Sequence, residues 1–463
     1  MFGSRNNNIK SGLRIIIIGC GKVGTTLIEQ LRNEGHDITI IDKNAALVSD
    51  LIGTYDIMGI AGNGASYSVQ IEAGIEQTDL LIALTDSDEL NLLCCTIAKQ
   101  VAGCAAIARV RNPEYSAESG YLREKLGLAM IINPELEAAN EAARLLYLPT
   151  ALEVNTFSNG QAEMIKLRLP KNHFMDGKTI ADVSKMIPVK FLICAVERDG
   201  EVYIPSGDFI LHASDAISFS TSKKNEKELL KKIGFPTQQV KNTIIIGGGK
   251  AAFYLANQLI PMGIEVKIIE ANKARCEELS CLLPKAIIIN GDGSDEELLK
   301  EEGIIDAQSF VPLTGIDEEN IMLTLHVKHI SNAKTITKIN RITFKDVINY
   351  LDLDSVIYPK YITSEAIIAY VRAKQNSKNS NIETLYHLFD FKAEAIEFVV
   401  DESCVFTNRQ LMDITTKDNL LIAAINRDGD IIIPNGTDTI KTGDSIIVFT
   451  KHTGLNDINE ILA

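Results

Sequence analysis

The chain predicts an α/β architecture: two doubly wound parallel-sheet Rossmann domains, each followed by a small α+β module. Three observations predict it. An isoleucine run, Ile15 to Ile18, breaks into Gly19-x-Gly21-x-x-Gly24; the pattern returns at Ile244 as IIIGGGKAA; and a β-rich stretch follows each alternating half. An apolar run with no polar face suits a central strand covered by helices on both sides. The glycines allow a tight turn, backbone approach to a pyrophosphate and close helix packing. A single turn of this spacing also serves as a bare strand-to-helix connection, so its repetition in one chain is what gives it weight.

The elements follow in order. Val23 to Arg32 carries apolar positions at helical spacing and ends at Asn33 to His36. Asp37 to Asp42 (DITIID) is the second strand. It places Asp42 about 20 residues past the glycines, where dinucleotide folds keep the carboxylate that hydrogen-bonds the adenosine ribose; the bland alternative is a turn former. A helix over Ala45 to Leu51, a short strand near Asp56 to Ala61, the loop Gly62 to Ser66 and a helix to Gly74 come next. Leu80 to Leu84 is a strand ending in Thr85-Asp86, Glu89 to Gln100 a helix, and Ala105 to Val110 a fifth strand leading into Arg111-Asn112-Pro113. Strands alternating with helices predict a doubly wound sheet, whose ligands bind at strand C-termini. Gly19, Asp42, Asn63, Thr85 and Arg109 all fall at such ends.

From about Ala151 short strands take over: AEMIKLRLP, FLICAVERDG, EVYIPSGDFIL and DAISFS. Turns at Asp199-Gly200 and Ser206-Gly207-Asp208 are expected to join them as hairpins. Ser222 to Lys232 (SKKNEKELLKK) reads as a charged helix or linker. The second half then restates the first. Gly303-Ile304 matches Gly74-Ile75, Leu313-Thr314 matches Leu84-Thr85, Asn320 matches Asn91, and Glu270 stands to Gly247 as Asp42 stands to Gly19. The tail from Ile422 repeats the stretch from Ile193, though Thr442-Gly443-Asp444 replaces Ala213-Ser214-Asp215, which suggests that the two modules bind different things. The expected domains are residues 12–140 and 241–370 (Rossmann), 141–222 and 371–463 (small modules), with 223–240 as a linker.

Composition narrows the function. At 463 residues and 46% apolar content, the chain can build several cores, and a net charge of -15 argues against a nucleic acid partner. The eight cysteines form no C-x-x-C pair, so metal or disulfide use is not expected. The opening MFGSRNNNIKSG lacks the apolar centre of a signal peptide, and no apolar run approaches a membrane span. A cytoplasmic protein that reaches a membrane only by docking is expected.

The glycine turn, GNGAS, A-G-I, L-T-D-x-D-E-x-N, A-R-V-R-N-P-E-Y and R-D-G-x-x-x-I-P-x-G together resemble the TrkA family of Trk potassium-uptake regulators, tandem RCK/KTN-domain proteins, over nearly the whole chain from Ile15. The resemblance implies a non-enzymatic ring of identical copies on the cytoplasmic face of a TrkH-type membrane potassium channel subunit, gating it according to bound nucleotide. It also implies that Gly19, Cys20, Gly21, Lys22, Val23 and Gly24 wrap a pyrophosphate, Asp42 holds the adenosine ribose, Thr85-Asp86 floor the site and Arg109 meets a phosphate. The second-copy counterparts are Gly247, Gly248, Gly249, Lys250, Ala251, Glu270, Thr314, Gly315 and Lys338. Ala252 takes the place of the third glycine, and Lys338 and Asn340 those of Arg109 and Arg111, so the second site offers a flexible ammonium in place of a planar fork. The carboxylate of Asp42 favours NAD(H) over NADP(H), while ATP and ADP use the same contacts. Two other readings remain: a scaffold with a vestigial second pocket, or an NAD-dependent oxidoreductase. Tyr121-x-x-x-Lys125 and Tyr370-x-x-x-Lys374 copy short-chain dehydrogenase spacing, but a Tyr and Lys one turn apart is a common surface pair. His326 and His329 form a possible ligand pair, with a plain helix face as the commoner alternative.

Overall fold

The computed structural model describes residues 12–340, 348, 351, 353–375, 382–389 and 392–463; the first 11 residues, read above for a targeting signal, lie outside them. The chain divides into two compact units, Met1–Pro134 and Glu135–Ala463.

In the first unit β1 (Arg14–Ile18) leads through α1 (Lys22–Asn33) to β2 (Asp37–Asp42), then α2 (Ala45–Tyr55), β3 (Met58–Ala61), α3 (Tyr67–Glu72), β4 (Leu80–Ala83), α4 (Asp88–Ala102), β5 (Ala105–Arg109), α5 (Pro113–Ala117), α6 (Ser119–Lys125) and β6 (Met130–Ile132). The sheet order is β3-β2-β1-β4-β5-β6, with every pairing parallel. Ile15 to Ile18 are at most 2% exposed, and β4 is buried throughout, as the centre of a sheet covered on both faces requires. The chain leaves β2 on one side of β1 and β4 on the other, so the loops after β1 and β4 part and leave a crevice at the strand ends. β6, α5 and α6 were not expected from sequence: β6 has three residues, two of them half-buried, too few to show a period.

The second unit opens with α7 (Pro134–Tyr147) and an antiparallel sheet made of β7 (Glu153–Phe157), β8 (Ala162–Arg168), β9 (Leu192–Arg198), β10 (Glu201–Tyr203) and β11 (Ala216–Ser222), in the order β10-β9-β11-β8-β7. α8 (Ile180–Met186) lies within this module, and α9 (Glu226–Lys232) follows it. Asp199 (φ 53°) and Gly200 (φ 78°) close the β9–β10 hairpin as expected, because left-handed pairs match strand twist. Ser206 to Asp208 does not join two strands. The chain beyond it makes one bridge, Ile210 to Thr179, since the backbone there pairs with the approach to α8 and not with a neighbouring strand.

The second Rossmann sheet comprises β12 (Asn242–Ile246), α10 (Lys250–Leu259), β13 (Glu265–Glu270), α11 (Lys273–Leu282), β14 (Ile287–Asn290), α12 (Glu296–Glu301), β15 (Ser309–Pro312), α13 (Asp317–Ile330), β16 (Lys334–Lys338) and β17 (Ser355–Ile357), in the same order as the first, β14-β13-β12-β15-β16-β17. α14 (Pro359–Gln375) then leads to β18 (Ile382–Leu388), β19 (Ala393–Val399), β20 (Leu420–Arg427), β21 (Asp430–Ile432) and β22 (Ser445–Thr450), whose order β18-β19-β22-β20-β21 repeats the first module.

One core joins α7, the first small module, α9 and the second Rossmann sheet, through Leu146, Ile165, Leu230, Ile245 and Leu255. Another joins the two small modules, through Phe157, Met164, Ala395 and Phe449. In both modules an arginine forks onto a buried aspartate: Arg198 on Asp215 at 2.7 Å twice, and Arg427 on Asp444 at 2.8 and 2.7 Å. The sequence difference before those aspartates leaves this tie intact. All eight cysteines are free thiols. Among the described residues no helix is long and apolar enough to cross a membrane, and no His, Cys, Asp or Glu group, His326 and His329 included, is arranged to hold a metal.

Candidate functional site

In the first unit the sequence-predicted residues gather at the C-terminal edge of one sheet. Gly19 (φ 89°) turns the chain out of β1; a side chain there would stand 2.7 Å from the Thr85 nitrogen. A Cβ on Gly24 would lie 2.4 Å from the Gly19 carbonyl oxygen, so that glycine serves helix packing. Gly21 faces open space and is the position where a ligand can approach the backbone. It also caps α1 without a side-chain hydrogen bond, leaving N–H groups at the helix start available to an anion.

Asp42 fixes this turn. Its Oδ2 accepts from the Cys20 N–H at 2.7 Å and its Oδ1 from the Asn44 N–H at 2.9 Å, which leaves lone pairs for ribose hydroxyls. Cys20 is 1% exposed, and burial, with Asp42 second, pushes its thiol up to about 12. It stays protonated and packs as a small apolar group.

The opposite wall is built by Asn91 of α4. Its Oδ1 accepts from Thr85 N and Oγ1, both at 2.7 Å, while its Nδ2 donates to the carbonyls of Thr85 at 3.1 Å and Arg109 at 2.9 Å. The ends of β4 and β5 are thus tied through one buried amide. Arg109, 9% exposed, donates Nη2 to the Thr85 carbonyl at 2.6 Å and meets Asp86 at 3.2 Å, and Arg111 donates to the Asp86 carbonyl at 2.6 Å. Asn63 closes its own turn on Ala65 N at 3.2 Å, and the fully buried Gln70 holds that loop by donating to the Gly64 carbonyl at 2.7 Å. Lys22 is exposed beside the turn, and Val23 is buried beneath it.

The second unit repeats the construction with fewer charges. Glu270 accepts from Gly248 N at 2.6 Å and Asn272 N at 2.7 Å. Asn320 accepts from Thr314 N and Oγ1 at 3.0 and 2.9 Å and donates to the Lys338 carbonyl at 3.0 Å. Gly247 (φ 91°), Gly249, Lys250 and Ala251 form the turn into α10. Gly315 stands where Asp86 stands and brings no side chain, and Lys338 places its Nζ on the Leu313 carbonyl at 2.7 Å.

Sequence reasoning singled out the groups at the rim of the crevice and passed over several of those that hold them in place. Asn91 and Asp88 showed only as letters of the motif L-T-D-x-D-E-x-N, Asn320 only as a matched letter of the repeat, and Gln70 not at all. Asp88 accepts from the N–H groups of Arg111 at 2.9 Å and Asn112 at 2.7 Å. The available signal was a polar residue on the face of a helix turned toward the sheet.

Comparison with known proteins agrees with this construction. The TrkA-N domain model matches residues 15–134 and 243–359, and the TrkA-C domain model matches residues 164–234 and 395–463. A Trk system potassium uptake protein TrkA homolog of Archaeoglobus fulgidus is 33% identical over 97% of this chain and 100% of its own. The Trk system potassium uptake protein TrkA of Haemophilus influenzae is 32% identical over 94% of this chain and 95% of its own. Among solved structures, the GsuK channel bound to NAD superposes with a TM-score of 0.64 at 18% identity, over 96% of this chain and 77% of that one. The GsuK RCK domain does so at 0.64 and 19% identity, over 96% and 93%. These two show a shared fold. Carrying both domain types twice and aligning end to end with such relatives, the chain belongs to the TrkA family of Trk system potassium uptake proteins.

Proposed function

We propose that the chain is the nucleotide-binding regulatory subunit of a Trk-type potassium uptake system, a non-enzymatic protein that assembles as a ring of copies on the cytoplasmic face of a TrkH-type channel subunit and gates it. NAD(H) is its principal ligand, with ATP and ADP as competitors for the same pocket. The observation that carries this reading is the preorganised first pocket: Asp42 already holds the Cys20 N–H, Gly21 is open to a ligand, and the start of α1 is uncapped. In this reading the glycine turn wraps the pyrophosphate, Asp42 takes the adenosine ribose, Thr85 and Asp86 form the floor, and Arg109 with Arg111 meets phosphate charge. The carboxylate of Asp42 disfavours a 2'-phosphate. Gating requires that the nucleotide bind one conformation more tightly than the other, because a ligand of equal affinity for both shifts nothing.

The non-enzymatic reading has support too. The Cys20 thiol stays protonated, and Tyr121 is exposed on α6, with Lys125 paired to Glu124 at 2.9 Å. In the second pocket Gly315 and the tethered Lys338 support weaker phosphate binding. Calorimetry with NADH, NAD, ATP and ADP tests the reading on wild type, Asp42→Ala and Glu270→Ala. Binding by wild type and its loss at the first pocket in Asp42→Ala are expected. No binding by any of the four sinks the sensor and leaves a scaffold, and reduction of NAD by an added metabolite revives the oxidoreductase.

A further inference from the structure

The two pockets differ at the adenosine end as well as at the phosphate end. The first turn of α11 carries Lys273 and Arg275 where α2 carries Ala45 and Leu47. Arg275 is anchored twice. Its Nε donates to the Gly248 carbonyl at 2.7 Å, and its Nη1 pairs with Glu278 Oε2 at 2.7 Å. Gly248 also donates its N–H to Glu270 at 2.6 Å, so one glycine ties the guanidinium and the ribose-side carboxylate to the same rim. A Cβ at Gly248 would meet Leu279 Cδ1 at 2.6 Å and Glu270 Cβ at 3.2 Å, so a side chain there would have to displace the leucine.

The Arg275 side chain remains 24% exposed while both of its anchors hold it still. A fixed planar cation is a stacking surface for an aromatic ring. Glu278 pairs with it and Glu270 is held by the N–H of the same Gly248, so a 2'-phosphate at this rim would meet two carboxylates for one guanidinium, whereas a neutral base would not. At the other end of the pocket Lys338 donates to the Leu313 carbonyl, and Asn340 donates its side-chain Nδ2 to Asp317 at 2.9 Å.

We propose that Arg275 is the specificity-determining residue of the second pocket, seating the adenine ring of a nucleotide on its guanidinium plane, so that this pocket selects by base where the first selects by phosphate. The inference rests on the reading of both pockets as nucleotide sites. The test titrates full-length wild type, Arg275→Leu and Arg275→Lys with ADP and with UDP by calorimetry, with melting curves to verify folding. Wild type shows two ADP sites. Both variants weaken one of them roughly tenfold, leave the other unchanged and shrink the ADP over UDP preference at the weakened site. Lysine keeps the charge and loses the plane, so matching losses assign the effect to stacking. Leu47→Arg raises the ADP over UDP preference at the first pocket. Unchanged ADP affinities in both Arg275 variants, or a second pocket that prefers 2'-phosphorylated ADP, overturn the inference and leave the nucleotide function standing. A single ADP site unaffected by Glu270→Ala overturns it as well, and no nucleotide binding by wild type overturns both.

Discussion

Gly24 and Ala252 occupy the same place in the two turns yet meet different surroundings. At Gly24 a methyl group would stand 2.4 Å from the Gly19 carbonyl oxygen, whereas Ala252 is fully buried in the matching helix. The first turn is wound tighter. A side chain at Gly19 would meet the next loop at 2.7 Å, against 3.4 Å at Gly247. Gly24→Ala should therefore force the backbone apart, lowering stability by about 1–3 kcal/mol and first-pocket nucleotide affinity at least roughly tenfold. Ala252→Gly should cost only about 1 kcal/mol, the ordinary helix penalty. Melting curves and calorimetry on the pair check both, and equal effects would show the turns to be equivalent. The glycines and Asp42 were legible because their spacing is that of a strand-to-helix turn followed by a strand-terminal carboxylate, and the second half repeats it. Asn91 and Gln70 were not, since an amide within a helix looks like surface until the sheet beneath it is in place.

At the scale of elements, the buried strands with isoleucine and leucine runs were readable, and the short half-buried β6 and the bridge at Ile210 were not, because two or three residues carry no period. Ser222 to Lys232 is instructive. The stretch reads as a charged helix or linker, and the helix α9 that forms there buries Leu229, Leu230 and Glu226. Glu226 and Glu163 of β8, each 1% exposed, share a single lysine: Lys223 contacts Glu163 and stands 3.0 Å from Glu226. Glu163 Oε2 and Glu226 Oε1 receive no donor among the described residues, as expected of two carboxyls sharing one proton. Burial, then the Glu226 carboxyl, pushes Glu163 up to about 8. A carboxyl raised above its unfolded value gives its full stabilisation below about 4.5 and loses it as the pH rises toward about 8. Across that window wild type should lose stability, at most about 1.4 kcal/mol per pH unit from this group. Glu163→Gln, neutral at every pH and leaving Lys223 to Glu226, should flatten this part of the profile. Denaturant unfolding between pH 5 and pH 9 reads it, and parallel profiles for the two proteins would exclude the shared proton.

Over the whole molecule, duplication has kept the frame and let the residues at the mouth of the crevice drift. Both sheets keep one strand order, both small modules keep the arginine fork on a buried aspartate, and Asn91 and Asn320 make matching bonds. The drift lies at the candidate pockets: Asp86 against Gly315, Arg109 against Lys338, Leu47 against Arg275. The first two differences were legible as letters aligned across the repeat; their consequence was not, because whether Lys338 is available depends on the Leu313 carbonyl that captures it. If the phosphate-reading first pocket carries the gating signal, its loss should silence the response to nucleotide without detaching the protein from its channel. Asp42→Ala, reconstituted with the channel subunit in potassium-loaded vesicles, should co-sediment like wild type while its flux no longer changes on addition of NADH or ATP. Glu270→Ala should keep a response with altered amplitude, since coupling between two sites alters how strongly one ligand acts and does not replace it. A full nucleotide response in Asp42→Ala would move the signal to the second pocket. Loss of co-sedimentation would instead show that Asp42 supports the docking surface, and the gating reading would then have to be tested with a variant that spares the turn, such as Arg109→Gln.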